Sequence, residues 1–97
     1  MYLTSGMAYD GQRLGEPVLI HTFTQPLRTT AGQVYAVAAY GQQRGDGMWI
    51  GWLAFTPSEG AVLRTDRETT QPSRDDLAYW ATGLERVYLE GAFSRAS

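Results

Sequence analysis

The densest polar chemistry in the chain is the octet Arg64-Thr65-Asp66-Arg67-Glu68-Thr69-Thr70-Gln71. Two guanidiniums on nearby residues, two adjacent hydroxyls, and the free amides of a helix expected to start near Ser73 make Arg64, Arg67, Thr69 and Thr70 a candidate anion site. The same residues also suit a solvated edge strand whose arginines pair with Asp66 and Glu68, and this plainer use is the favoured expectation. His21 has the ring that a general base needs. No acid adjacent in sequence would orient it, so it is expected to be structural. Asp75 and Asp76 are paired carboxylates, but a helix start that sets them against its positive end already accounts for them.

Two glycine-rich features are discounted on context. Gly41 to Gly47 joins two strand-like runs, whereas a dinucleotide loop needs a strand before it and a helix after it. Arg44-Gly45-Asp46 spells a cell-adhesion tripeptide, yet its residues are also those that a tight turn wants.

Absent residue types narrow the chemistry further. The sequence has no Cys and one His, so it offers neither a thiolate site nor a His cluster. All eight basic residues are Arg. Without Lys there is no P-loop lysine and no Schiff base. No nucleophile, base and orienting group can be assembled, and the expectation is a protein that is not an enzyme, with no cofactor and no metal. A net charge of −2 does not suggest a general nucleic-acid binder. The lack of Lys and Asn, with Ile used twice, points to a GC-rich and so bacterial coding sequence. No signal-like start and no long apolar run is visible, which gives the expectation of a cytoplasmic protein with no membrane partner.

These groups must be carried by a fold, and 43% hydrophobic against 19% charged residues argues for one globular domain over 1–97. The organising stretch is Val34 to Tyr40 and Met48 to Phe55, two apolar runs around a turn-rich segment, and it reads as a β-hairpin. An even-numbered loop would set Ala36 against Phe55, Ala38 against Leu53 and Tyr40 against Gly51, each large side chain meeting a small one. Ala36, Ala38, Tyr40, Trp49, Leu53 and Phe55 would then share one face. Tyr35, Val37, Ala39, Met48, Ile50, Trp52 and Ala54 would share the other, so both faces need covering.

Pro17 to Thr24 adds a strand before the hairpin, Pro26 to Gly32 a loop, and Ala61 to Arg67 an edge strand after it. Residues 1–16 are expected to form a short hairpin about Asp10-Gly11 or an irregular arm. Ser73 is a helix N-cap with Asp76 three residues on. From Leu77 a stripe of Trp80, Ala81, Leu84, Val87, Tyr88, Gly91 and Ala92 keeps helical phase. One long helix over 73–95 is expected, a break at Gly83 being the alternative.

The resulting fold class is α+β: a three- to four-stranded antiparallel meander over 17–67, followed by one long C-terminal helix on one sheet face. In topology alone that order resembles small single-strand-binding regulators whose curved sheets pair into dimers. One helix leaves one apolar face bare, so the expected function is non-enzymatic, through homodimerisation or binding to another protein. The interface candidates are Tyr35, Ile50, Trp52, Leu89 and Phe93. The alternative, less favoured, is single-stranded nucleic acid stacked on the aromatic face.

Overall fold

The computed structural model describes residues 14–97, and two turns of one design set its sheet. In each, a three-residue loop ends on a glycine in the left-handed region that side chains avoid: φ is 88° at Gly32 and 89° at Gly47. The Thr29 N–H donates to the Gln33 carbonyl (2.9 Å) and the Gly32 N–H to the Thr29 carbonyl (3.0 Å). The second turn repeats this, Arg44 to Met48 at 2.7 Å and Gly47 to Arg44 at 2.9 Å. Asp46 completes the second turn, its carboxylate accepting from the Met48 N–H at 3.0 Å.

The elements are β1 (Val18–Thr22), β2 (Leu27–Arg28), β3 (Val34–Gln43), β4 (Trp49–Pro57), β5 (Leu63–Arg64), β6 (Thr69–Gln71), α1 (Arg74–Thr82) and α2 (Arg86–Arg95). The fold is α+β with an antiparallel sheet. β3 and β4 are its centre; β1 and β2 both pair with β3, while β5 and β6 both pair with β4.

The described residues therefore form six strands rather than the three or four expected, because each flank is interrupted. On one side the backbone leaves the ladder after Phe23, whose N–H still reaches the Val37 carbonyl, and Pro26 offers no donor before Leu27 and Arg28 rejoin β3. The expected loop from Pro26 to Gly32 thus contains a short strand. On the other side Thr65 is buried, and its hydroxyl accepts from the Leu53 N–H at 3.1 Å, replacing the backbone partner of a regular ladder. Pairing resumes at Thr69 to Gln71, so the sheet runs beyond residue 67.

The hairpin register also differs. Tyr40 lies opposite Trp52, Gly41 opposite Gly51, Ala38 opposite Ala54 and Val37 opposite Phe55. The three-residue loop is odd, and a one-residue slip re-sorts the side chains of one strand between faces. Tyr35, Val37, Ala39, Leu53 and Phe55 now point to the helices and are buried.

The helix breaks at Gly83, correcting the expectation of one long helix. Ser73 caps α1 as expected, its hydroxyl accepting from the Asp76 N–H at 3.0 Å. At the other end the Gly83 and Leu84 N–H groups turn back on Trp80 and Ala81, and Glu85 is extended (φ −102°, ψ 167°). The apolar phase is reset across this break. Leu77 and Ala81 are buried on α1, but on α2 the buried side chains are Leu89 and Ala92, while Val87 is 79% exposed. Phe93 meets Phe55 edge-on at 5.2 Å and Tyr35 at 4.8 Å.

The expected hairpin about Asp10-Gly11 lies outside the described residues. The chain is described from Leu14, and Gly15 joins the far end of β3 through its N–H to the Gln43 carbonyl (2.7 Å) and its own carbonyl to the Gln42 amide (2.9 Å).

Candidate functional site

Both helices pack on one side of the sheet; the other side, open among the described residues, carries the candidate site. Because side chains alternate along each strand, Ala36, Ala38, Tyr40 and Gln42 of β3 share this open face with Thr56, Ala54, Trp52 and Ile50 of β4, in opposed pairs. Leu19 extends the Tyr40 row and Thr22 the Ala38 row from β1. Arg64 and Thr70 continue the Ala54 and Ile50 rows from β5 and β6. Bulky groups are thus gathered at the end near the second turn, and small ones at the other.

The centre of the bulky half is a layered group. Tyr40 and Trp52 lie nearly parallel, with centroids 6.4 Å apart and planes 15° apart. The Arg64 guanidinium covers the Trp52 ring at 4.3 Å and donates from Nε to the Thr65 carbonyl at 3.1 Å. Trp52 is 5% exposed, so the surface offered outward consists of Arg64, Tyr40 and the half-exposed Leu19. Among the described residues no group of three or more His, Cys, Asp or Glu is placed to hold a metal ion, and no helix is long and apolar enough to cross a membrane.

No family model, curated protein or solved structure matches this chain. The candidate residues must therefore be judged by their placement alone.

Of the five interface candidates, Ile50 and Trp52 are on the open face. Tyr35, Leu89 and Phe93 are together on the opposite side, packed in the helix–sheet core. The anion candidates are also divided. Arg64 and Thr70 belong to open-face positions, while the hydroxyl of Thr69 accepts from the Gln71 amide at 2.8 Å and its methyl lies toward Gly51 on the helix side. Arg67 is exposed in the link between β5 and β6. His21 meets Phe23 edge-on with ring centroids 4.6 Å apart.

The Arg44-Gly45-Asp46 turn is closed on itself. Arg44 and Asp46 form two hydrogen bonds, the shorter 2.6 Å, which raise the Arg44 pKa and lower that of Asp46, helped there by the Met48 N–H.

One polar cluster was not legible in the sequence. The Glu68 carboxylate, its side chain 8% exposed, accepts at 2.5 Å from both the Tyr88 hydroxyl and the Arg95 guanidinium. Burial pushes the Tyr88 phenol above its usual range, and the bond to Glu68 adds to this. The partners are twenty and twenty-seven residues apart in sequence. The arrangement clamps α2 to the link between β5 and β6; the only sequence signal was that Glu68, Tyr88 and Arg95 are of pairable types.

Proposed function

We propose that this chain is a non-enzymatic module that acts as a homodimer, two copies meeting through their open sheet faces. The observation that carries this is the distribution of side-chain size on that face. Leu19, Tyr40, Ile50 and the Arg64 guanidinium that covers Trp52 are massed at one end, while Ala36, Ala38, Ala54 and Thr22 leave a shallow floor at the other. A two-fold axis lying between the two sheets, parallel to their planes and perpendicular to the strands, sets the bulky end of each copy over the shallow end of its partner, so one surface complements itself. Sheet extension is a poorer route, because both flanks are broken into segments of two to five residues.

Size-exclusion chromatography with light scattering tests this reading. At tens of micromolar the expected mass is twice 10.8 kDa. Ala36 is exposed on the open face, so Ala36→Glu should leave the fold intact and return the mass to that of one chain. A wild-type mass near 10.8 kDa overturns the proposal. So does a dimer that Ala36→Glu leaves untouched.

A second reading has one observation in its favour, the guanidinium over Trp52 beside a parallel Tyr40. Single-stranded nucleic acid uses stacked aromatics with neighbouring arginines in this way. Among the described residues only Arg28 and Arg64 add positive charge to this face, however, and Arg64 is already engaged. Salt-sensitive quenching of tryptophan emission by oligo-dT would favour this reading over dimerisation.

A further inference from the structure

The two interruptions of the fold fall side by side and open a cleft between them. Where β1 leaves the ladder at Phe23 and the chain returns at Leu27, no strand among the described residues covers the flank of Val37 beyond the Phe23 N–H that reaches its carbonyl. Where α1 ends at Gly83 and α2 begins at Arg86, no continuous helix covers it from above. The gap is a cleft of about 230 Å³, open to solvent and walled by Phe23, Leu27, Val37, Leu84 and Leu89, with Arg86 at its mouth. Three of the walls belong to the core: Val37 is 1%, Leu27 4% and Leu89 8% exposed. A cavity of about 150 Å³ with similar lining is enough to take up benzene. A phenyl-sized body with one polar substituent therefore fits this space.

The mouth specifies the substituent. Arg86 reaches the Gln25 side-chain oxygen and the Pro26 carbonyl, each at 3.4 Å, and Glu90 at 4.0 Å. These contacts hold the guanidinium across the opening, yet all are long for charge-assisted bonds, which settle near 2.7–2.9 Å. A planar carboxylate would match its fork. The nearby Glu90 carboxylate repels a dianion more than a monoanion, which favours a carboxylate over a phosphate ester. We propose that this cleft binds a small carboxylate on an aromatic or branched apolar body, with the body against Phe23, Val37 and Leu89 and the charge on Arg86. The site lies on the helix side of the sheet, so it is independent of the open-face dimer.

An amide NMR titration of the isotopically labelled full chain, with phenylacetate and with neutral phenylacetamide as probes, tests this. The expected result is saturable shifts at Thr24, Gln25, Leu84 and Arg86, with phenylacetate bound at least about tenfold more tightly than the amide. Arg86 is half exposed, so Arg86→Gln should keep the fold, read from an otherwise unchanged spectrum, and abolish the preference for the acid. Equal affinity for the two probes overturns the proposal, as does no saturable shift, a response centred on the open sheet face, or a preference that survives Arg86→Gln.

Discussion

Gly51→Ala tests the register and the helix packing together. Gly41 and Gly51 are directly opposite on the helix side of the hairpin, and Leu77 descends from α1 into the notch that their missing side chains leave. A methyl carbon at residue 51 would stand 2.6 Å from Leu77 Cδ1 and 3.2 Å from Thr69 Cγ2. Carbon atoms settle at about 3.5–4.0 Å, so Leu77 must retreat by roughly 1 Å. It is fully buried, so this retreat must push on its close-packed neighbours. Overpacking of this kind costs about 1–3 kcal/mol. Removing a glycine from the unfolded chain returns about 0.4–1 kcal/mol. The net loss then spans about 0–2.6 kcal/mol and centres at about 1.3 kcal/mol, several degrees in Tm for a domain of this size.

Leu77→Ala alone should cost about 2–5 kcal/mol through the cavity it leaves. In the double variant the added methyl occupies part of that cavity, so the combined loss should fall short of the sum by about 1 kcal/mol. Urea unfolding followed by far-ultraviolet dichroism at one fixed protein concentration measures all four corners of the cycle, with concentration held constant because a dimer would shift the midpoint. Strict additivity, or a Gly51→Ala that stabilises, would refute the notch.

Other outcomes follow from single contacts. Ser73→Ala should lower stability by about 1 kcal/mol in the same assay, the usual loss of a cap hydrogen bond. Gly83→Ala should be neutral or stabilise by up to about 1 kcal/mol, because Gly83 has φ −89° and an added Cβ meets nothing closer than 3.7 Å. Tyr88 should titrate above its ordinary value of 10.0 in an ultraviolet tyrosinate titration. Since its folded pKa is raised, its contribution to stability is full below the unfolded pKa and is lost as pH rises through the folded one. Tyr88→Phe should therefore lose less stability on going alkaline than the wild type, and Glu68→Gln should bring the Tyr88 titration down.

The sequence carried the fold class because its signals were local and redundant. Two apolar runs around a glycine-rich turn made the central hairpin legible, and Ser73 with Asp76 announced the first turn of α1. The register was not legible, because Arg44-Gly45-Asp46-Gly47 offers two glycines and the local sequence does not say which takes the left-handed conformation. Gly47 takes it, which makes the loop odd. Matching large with small residues across the hairpin also misled, because the complement of Gly51 is Leu77 on another element rather than Tyr40 on the next strand. The helix break was hidden for a related reason. The apolar stripe continues in phase past Gly83, but α2 turns a different side to the sheet, and Leu89 and Phe93 do what Val87 and Tyr88 were expected to do.

The same one-residue slip bears on function. In an even-loop hairpin Leu53 and Phe55 would share a face with Ala36, Ala38 and Tyr40, and large groups would stand on both sides of the sheet. In the observed register Leu53 and Phe55 join Val37 beneath the helices, and the opposite face is left with one cluster of large side chains and one field of alanines. A uniformly bulky face would reject a second copy of itself through steric mismatch, and a uniformly flat one would bury little on pairing. A graded face escapes both limits in the proposed homodimer, and inverting the gradient should expose this. In the proposed homodimer Ala38→Leu fills the shallow end where Tyr40 and Leu19 of the second copy would seat, so the variant should be monomeric at concentrations where the proposal expects the wild type to pair. If Ala38→Leu instead tightened the dimer, the copies would have to pair bulky end to bulky end, and the self-complementary arrangement would be wrong even though the face was right.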